Sequence, residues 1–398
     1  MKILQLVSDW KWTGPAEPML VLMRALRLRG HAVELVCPEP PPDAGRNLLA
    51  EATRRGLAPR ETLAAQRSAW RPGDGAAVSA VAHWLASDVI GGPFDVVHCW
   101  HSRDHVLAAR ALGRLPFDPA RRFRPAPAAT RIVRCFPRAE PIRPWPWNHW
   151  LFGRACDGLL CVSEASASAN RAVRPVGPLA VMPGAVELAA DAAPDERSRA
   201  GVCRQLGVPE DSVLIGVVAR MQRHRRFDLL LAAMVELVAR HPTARLVVLG
   251  RGTHADEVVV RPARALGIAA HVVLAGHRMH DYATLLAAMD LFTYLVPGSD
   301  GTCRALLEAA ALALPLVGTR RGAIPEIIAD GRTGIVVDEE PAALAAAWSS
   351  LIDDPDRRRA MGAAARRDAQ ARFTPAHMAE FSEEFYAAVL RSAPTSSR

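Results

Sequence analysis

Short apolar runs alternate with amphipathic stretches from the second residue almost to the end of the chain. In the first amphipathic stretch Met19, Leu22, Met23 and Leu26 recur at the spacing of one helix face, and Gly30 follows as a stop signal. Strands that alternate with helices form parallel sheets with right-handed crossovers. We predict strands at residues 3–7, 33–37, 95–98, 131–135, 158–162, 179–182, 213–219, 246–250, 272–275, 291–295, 315–318 and 334–337.

These strands fall into two series, separated by a stretch that is rich in Pro, Ala and charge. We therefore predict an α/β protein with two Rossmann-like, doubly wound parallel-sheet domains that face each other across a cleft. The predicted parts are an N-terminal domain at 1–183, a connection at 184–212, a C-terminal domain at 213–373, a helix at 374–391 that packs back on the first domain, and a disordered tail at 392–398.

The composition, with 50% hydrophobic and 23% charged residues, is that of packed globular domains. No apolar run approaches the roughly 20 residues that span a bilayer, and the apolar part of the N-terminus is too short for a secretory signal. We expect a cytoplasmic protein, with peripheral contact to the cytoplasmic membrane left open. Seven cysteines without a CxxC pair predict neither a disulfide framework nor a zinc site.

The net charge of +8 comes almost entirely from arginine, because Lys2 and Lys11 are the only lysines of the chain. Chemistry that needs a Schiff-base lysine is disfavoured, and with it the pyridoxal-phosphate enzymes. The arginines are scattered and accompany no nucleic-acid recognition motif, so we predict no nucleic-acid partner.

The most informative stretch is GSDGTCRALLEAAALALPLVGTRRGAIPE at 298–326, which predicts a loop, a helix, a buried strand and a second loop. Asp300 lies at the mouth of the helix and Glu308 about two turns inside it. Between them, the first helical turn offers free N–H groups and a positive dipole end to an anion. A diphosphate fits this position, while carboxylates accept hydrogen bonds from sugar hydroxyls.

A second candidate group is VVARMQRHRRFDLL at 217–230, in which Arg220 ends a predicted strand and Arg225 follows five residues later. Two guanidinium groups at a strand end neutralise a leaving diphosphate without a metal. We therefore predict no metal site and no bound cofactor.

Together these motifs resemble the family-4 retaining glycosyltransferases of GT-B architecture, whose two acidic residues precede an EAMA-like helix, a GLPVVAT-like strand and a GG-x-PE-like loop. Asp300 replaces the usual Glu, and Arg225 replaces the usual Lys of the phosphate pair. The resemblance implies that Glu308 binds the ribose, Asp300 the donor hexose, and Arg220 with Arg225 the diphosphate. The remaining donor residues that it implies are Gly14 of TGPAEP, Gly250 and Gly252 of the GRG turn, and the turn residues Gly301, Thr302, Cys303, Arg304 and Ala305.

The motif FDVVHCWH at 94–101 resembles the DVVHxH strand end of the same family, in which a histidine contacts the transferred sugar. The second histidine position of the motif is occupied by Trp100 here. His98 and His101 therefore both remain candidates for the active-site histidine.

Acceptor residues are predicted less directly. Trp10 and Trp12 lie in the first strand-to-helix loop, where an indole ring stacks on a sugar. Arg134 lies at the end of a predicted strand, facing the cleft, and is a candidate for acceptor or phosphate binding. Three more tryptophans, at 145, 147 and 150, fit sugar stacking, a membrane interface or packing of their loop onto the first domain.

The resemblance implies transfer of a sugar, with retention, from a nucleoside diphosphate donor bound by the C-terminal domain to an acceptor bound by the N-terminal domain. The donor is expected to carry UDP or GDP, and the acceptor is a glycan, a lipid-linked molecule or a small molecule. Two alternatives stay open: another GT-B reaction such as epimerisation of a nucleotide sugar, and a nucleotide-sugar-binding protein without turnover.

Overall fold

The computed structural model describes residues 1–63, 75–114, 129–138, 141–187, 196–278, 280–298 and 301–392. It contains a strand at each predicted position and one more, β3, of three residues. The strands are β1 Lys2–Leu6, β2 Ala32–Pro38, β3 Glu61–Leu63, β4 Val96–Cys99, β5 Arg131–Phe136, β6 Gly158–Cys161, β7 Leu179–Val181, β8 Val213–Val218, β9 Ala244–Leu249, β10 Val272–Gly276, β11 Leu291–Tyr294, β12 Leu316–Thr319 and β13 Gly334–Val337.

The strands form two parallel sheets, in the orders β3-β2-β1-β4-β5-β6-β7 and β10-β9-β8-β11-β12-β13. Each order reverses direction next to the first strand of its series, which is the doubly wound arrangement. The strands are near-continuous apolar runs because helices cover both faces of such sheets. The predicted fold class, two Rossmann-like parallel-sheet domains, is confirmed.

The helices lie between the strands and after the last one. They are α1 Ala16–Leu28, α2 Leu48–Arg54, α3 Gly75–Ala86, α4 Ser102–Ala111, α5 Pro146–Gly153, α6 Glu164–Asn170, α7 Glu196–Leu206, α8 Phe227–Val238, α9 Arg261–Ala265, α10 Tyr282–Ala287, α11 Arg304–Ala311, α12 Ile324–Ile327, α13 Pro341–Ile352, α14 Pro355–Arg372 and α15 Pro375–Arg391.

The chain divides into two compact units. The first comprises Met1–Ala185, Ser299–Thr302 and Pro375–Arg398. Alternate side chains along β1 and the residue after it point to the two core layers of this unit. Leu4 and Leu6 pack towards α3, α4 and α5, whereas Ile3 and Val7 pack towards α1 and α15. The C-terminal helix α15 thus packs in the hydrophobic core of the first unit.

The second unit comprises Val186–Gly298 and Cys303–Thr374. Its central strand β8 directs Leu214 to one core layer and Ile215 with Val217 to the other. Helix α7 lies within the stretch that we predicted as a connection. Its Arg199 donates hydrogen bonds to Ala288 O and to Asp290, and these bonds attach the helix to this unit.

Among the described residues, no helix combines the length and apolar character needed to span a bilayer.

Candidate functional site

The sheet topology places the candidate residues of the second unit at one edge. Strands β8 and β11 are neighbours, paired in parallel from Leu291 with Ile215. The order of the sheet reverses between them, so their carboxyl ends border the crevice in which such folds bind ligands. Arg220 and Arg225 follow β8, and the turn into α11 follows β11.

The turn into α11 has an unusual backbone conformation at two positions. Gly301 and Cys303 both have left-handed φ values, 64° and 53°. Cys303, at the N-cap, is fully buried and provides no side-chain cap. Thr302 is 7% exposed, and its Oγ1 has no hydrogen-bond partner within the described part of the chain. Asp300 lies outside the described residues, so its contact with the donor hexose stays a prediction.

Helix α11 begins with a positively charged side chain at its N-terminus, which is also the positive end of the helix dipole. Arg304 is its first residue, and the first turn contains no acidic residue. A helix dipole favours the opposite sign at this end. The positive end of α11 and the Arg304 guanidinium therefore lie together, and an anion would offset both charges.

Glu308 is held by two donors. The hydroxyl of Tyr282 donates to Glu308 Oε2 over 2.6 Å, and Arg304 Nε lies 3.1 Å from Oε1. Burial raises the pKa of Tyr282 well above its ordinary value, and the adjacent carboxylate of Glu308 raises it further, so this hydroxyl stays a donor. Tyr282 was not predicted from the sequence, because a single Tyr at the start of a short helix belongs to no motif.

The two arginines of the predicted phosphate pair differ in their environment: one is exposed, and the other is hydrogen-bonded to the backbone. Arg220 is exposed, and no hydrogen bond or ion pair joins it to the described residues. Arg225 donates from Nη1 to the carbonyl oxygens of Val296 (3.1 Å) and Pro297 (2.5 Å). Arg225 therefore ties the turn after β8 to the loop after β11, and Arg220 is the guanidinium open to a ligand.

Gly250 and Gly252 are needed for packing. A Cβ atom on Gly250, where φ is 150°, would lie 2.1 Å from Ala219 O, and one on Gly252 would lie 2.4 Å from Met221 O. The GRG turn thus fits against the backbone of Ala219–Met221, which leads to Arg220. The two glycines therefore allow the close backbone packing that positions the segment with Arg220, and their predicted donor contact stays a prediction.

His98 does not have the position that a sugar contact requires. It is 0% exposed, its Nδ1 lies 2.7 Å from the hydroxyl of Tyr386, and its ring stacks on Trp100 with the centroids 4.8 Å apart. Burial, followed by the charge of Arg134, lowers the pKa of His98 to about 3. The predicted sugar contact of His98 is wrong for this reason: the residue is a neutral core histidine.

His101 is the histidine that reaches the surface, at the N-cap of α4, and its side chain is 28% exposed. Its backbone N–H donates to Asp104 Oδ2 over 2.7 Å, and the same oxygen lies 3.3 Å from its ring Nδ1, which makes no hydrogen bond with the described residues. Asp104 also accepts the backbone N–H groups of Ser8 (2.7 Å) and Trp100 (3.0 Å). It therefore joins the ends of the neighbouring strands β1 and β4.

Asp104 remains charged although it is fully buried. Burial opposes ionisation, but the hydrogen bonds of His101 and of the Ser8 N–H, with the charge of Arg134, outweigh it and lower the pKa of Asp104. Asp104 was not predicted from the sequence. The signal that could have found it is its place at the third position of a helix that follows a strand, where an acid accepts hydrogen bonds from backbone N–H groups.

Arg134 is 3% exposed within β5, and its Nη1 donates to Cys99 O over 3.3 Å. Burial lowers the pKa of Arg134, and the charge of Asp104 opposes this shift. The predicted acceptor contact of Arg134 is wrong because the guanidinium lies inside the sheet layer. It balances the charge of Asp104 instead.

The loop between β1 and α1 contains the other predicted acceptor residues. The guanidinium carbons of Arg46 and Arg55 lie 4.7 and 5.0 Å from the ring centre of Trp12, so this ring is already occupied by cation–π contacts. Trp10 is half-buried, and Gly14 lies in a turn closed by the Ala16 N–H to Thr13 O bond. Lys11 Nζ lies 5.7 Å from the ring centre of Trp10, so both rings have cation contacts, and the acceptor roles of Trp10 and Trp12 stay predictions.

No group of three His, Cys, Asp or Glu side chains within the described ranges is arranged as metal ligands would be.

Two family models match almost consecutive parts of the chain. Residues 19–190 match Glycosyltransferase Family 4, and residues 202–368 match Glycosyl transferases group 1. The chain belongs to the family-4 glycosyltransferases of GT-B fold. The predicted resemblance is thereby confirmed, and the two family models divide between the two structural units.

Relatives of this family-4 glycosyltransferase include a D-inositol 3-phosphate glycosyltransferase of Corynebacterium kroppenstedtii, 37% identical over 50% of this chain and 45% of the relative. A GDP-mannose-dependent alpha-(1-6)-phosphatidylinositol monomannoside mannosyltransferase of Mycolicibacterium smegmatis is 33% identical over 44% of this chain and 47% of the relative. Each alignment thus spans less than half of the relative.

The fold itself is shared over nearly the whole length with solved structures. Anabaena HepE in complex with UDP has a TM-score of 0.76 at 17% identity, covering 98% of this chain and 100% of HepE. A glycosyltransferase from Rickettsia africae has a TM-score of 0.76 at 16% identity, covering 98% and 99%.

Proposed function

We propose that this protein transfers a sugar from a UDP- or GDP-sugar to a hydroxyl of a glycan, lipid-linked or small-molecule acceptor, with retention of the anomeric configuration. One observation carries the proposal. At the carboxyl edge of the second sheet, the open guanidinium of Arg220, the Arg304 end of α11 and the carboxylate of Glu308 are borne by neighbouring strand ends.

These groups match the parts of a nucleoside diphosphate sugar. The turn amides and arginines suit the diphosphate, since helix ends and guanidinium groups bind phosphates. Glu308 suits the ribose, because a carboxylate oxygen that already accepts one hydrogen bond keeps a lone pair for another. The names of the relatives support this assignment: the mannosyltransferase is GDP-mannose-dependent, and HepE was solved with UDP.

In the proposed reaction the acceptor hydroxyl attacks the anomeric carbon on the face from which the diphosphate departs. The bond from this carbon to the diphosphate oxygen breaks, and that oxygen takes the proton of the acceptor hydroxyl. The arginines and turn amides stabilise the negative charge that develops on the diphosphate, so no metal is required. His101, oriented by Asp104, is our candidate for the sugar contact from the first unit.

A single-turnover experiment tests the function. Excess protein is mixed with radiolabelled UDP- or GDP-sugars and candidate acceptors, including inositol phosphate, and NMR of the product gives its anomeric configuration. We expect a glycoside of the same configuration as the donor. An inverted product refutes retention, and donor bound but recovered intact with every acceptor refutes transfer.

We also propose that the first unit contacts the anionic surface of a membrane through its Pro141–Trp150 segment. Trp145 is 59% exposed, and among the described residues it is the one aromatic with a large exposed apolar surface. The guanidinium of Arg143 lies 5.5 Å from its ring, and α5 has no acid in its first turn. Exposed Trp beside Arg suits the interface of an anionic bilayer.

Co-sedimentation with vesicles of phosphatidylcholine, with and without phosphatidylglycerol, tests this surface. We expect binding to the anionic vesicles that Trp145→Ala weakens, while Leu28→Ala, at an exposed apolar residue elsewhere on the first unit, leaves it unchanged. Equal binding by both variants would contradict the proposal.

A further inference from the structure

The carboxylate that the proposed function assigns to the ribose is already engaged on both oxygens. Tyr282 donates to Oε2 over 2.6 Å, and Arg304 Nε lies 3.1 Å from Oε1. The three side chains come from two helices of the second unit: Tyr282 begins α10, whereas Arg304 and Glu308 are one turn apart on α11. The orientation of Glu308 is therefore fixed by Tyr282, which no sequence motif identified, and by Arg304, which the family resemblance placed only in the donor-binding turn.

The two donors differ in their freedom. Tyr282 is largely enclosed, since Phe292 and Tyr294 of β11 belong to the core layer against which it packs. The side chain of Arg304 is 39% exposed and that of Glu308 is 20% exposed. Tyr282 is thus a fixed contact of the carboxylate, and Arg304 is a long side chain at the ligand edge.

Arg304 is also an unfavourable residue for the first position of an isolated helix. A cation at the first helical position opposes the dipole, and an ion pair with Glu308 at i+4 has arginine before the acid, the less favourable order. Both costs are offset when an anion binds at the helix end, because the guanidinium then has a second negative partner.

We infer that Tyr282 is a positioning residue which holds Glu308 for the donor ribose, and that Arg304 is a diphosphate-binding residue which Glu308 holds in readiness. The inference rests on the proposed donor site. When the donor binds, the Arg304 guanidinium shifts to the diphosphate and leaves a lone pair on Glu308 Oε1 for a ribose hydroxyl. The diphosphate and ribose contacts are then coupled through one side chain.

Calorimetric titration with nucleosides and nucleoside diphosphates separates the two roles. Uridine and guanosine offer the base and the ribose without phosphate, whereas UDP and GDP add the diphosphate. We expect Tyr282→Phe to weaken both kinds of ligand by the same factor, about tenfold, because a hydrogen bond to a charged group is lost. Arg304→Gln should weaken the diphosphates by a similar factor and leave the nucleosides at wild-type affinity or tighter.

A double-substitution cycle shows whether Tyr282 acts through Glu308. If it does, Tyr282→Phe should have no further effect on ligand affinity once Glu308→Gln is present. Tyr386→Phe, which removes a buried hydroxyl from the first unit, is the matched control and should bind as the wild type does. Additive losses in the cycle would overturn the positioning role.

The outcomes also separate this inference from the function on which it rests. If the wild-type protein binds neither UDP nor GDP, the donor site itself is refuted. If it binds one of them and Tyr282→Phe keeps wild-type affinity for the matching nucleoside, the role of Tyr282 alone is refuted. If Arg304→Gln weakens nucleoside and diphosphate equally, its assignment to the diphosphate is refuted.

Discussion

The hydroxyl of Tyr386 lies 2.7 Å from Nδ1 of His98, and this contact joins the C-terminal helix α15 to the fourth strand of the first sheet. The two residues are 288 positions apart in the chain. A histidine whose motif suggests sugar binding is thereby part of the core, and the role proposed for it passes to His101.

The buried His98 should make stability depend on pH. Its pKa is about 3 in the folded protein, against about 6.5 in an unfolded chain, so the unfolded state binds the extra proton between these values. Stability therefore falls as pH falls from about 6.5 towards 3, by about 1.4 kcal/mol per pH unit from this residue.

The variant His98→Phe/Tyr386→Phe removes this titration together with its hydrogen-bond partner. The slope of unfolding free energy against pH, from urea titrations between pH 4.5 and 6, should decrease by about 1.4 kcal/mol per unit. His105, whose pKa burial also lowers to about 3, still titrates in the variant and provides the internal reference. An unchanged slope would show that His98 is protonated in the fold.

Asp104 is expected to support both stability and the position of His101. Asp104→Asn replaces one acceptor oxygen by a donor, so at least one of the N–H groups of Ser8, Trp100 and His101 loses its partner. We expect a loss of about 2 kcal/mol in unfolding free energy. The transfer rate should fall as well, while affinity for the donor nucleotide, measured by calorimetry, should stay at the wild-type value. A weaker nucleotide affinity would contradict the assignment of Asp104 to the first unit's histidine.

Gly250→Ala should be strongly destabilising, because φ is 150° and the new Cβ would lie 2.1 Å from Ala219 O. We expect a loss of several kcal/mol, about 3 or more, in urea unfolding. Gly201→Ala is the matched control: this glycine lies within helix α7, with open space around its Cβ position, and Ala should stabilise it by up to about 1 kcal/mol. Equal effects of the two substitutions would contradict the packing role of the GRG turn.

Asp300→Glu restores the residue that is usual in the family. Activity should stay within about tenfold of wild type, which corresponds to about 1.4 kcal/mol, because the charge is kept and only the reach changes. Complete loss of transfer would show that the site is built around the shorter acid.

A chelator should leave the same transfer assay unaffected, since arginines and turn amides are expected to neutralise the diphosphate. Full dependence of transfer on added magnesium would refute this prediction.

The period and length of apolar runs were enough to predict the fold. All predicted strands form, because strands buried on both faces are dense in Val, Ile and Leu. Strand β3 was missed because its three residues, Glu61–Leu63, are too few to show a pattern. Helix α7 was missed because its Ala- and charge-rich sequence resembles a linker, and its role appears only in the bonds of Arg199.

The parts of the candidate site that a backbone motif determines could be predicted from the sequence. The contacts between side chains of different helices and strands could not. Glycine positions, strand ends and the start of α11 follow from local sequence. The partnership of Glu308 with Tyr282 and the enclosure of His98 and Arg134 depend on contacts between distant segments, which spacing along one chain does not encode. The sequence around an arginine at a strand end does not show whether its side chain faces solvent, as in Arg220, or is buried, as in Arg134.

The central claim is that the second unit binds a nucleoside diphosphate through Arg220 and Glu308. Isothermal titration calorimetry of UDP and GDP against the wild type, Arg220→Ala and Glu308→Ala tests it most directly. We predict that the wild type binds one of the two nucleotides at one site, that Arg220→Ala weakens it about tenfold or more, and that Glu308→Ala abolishes measurable binding. Wild-type affinity in both variants would contradict the account.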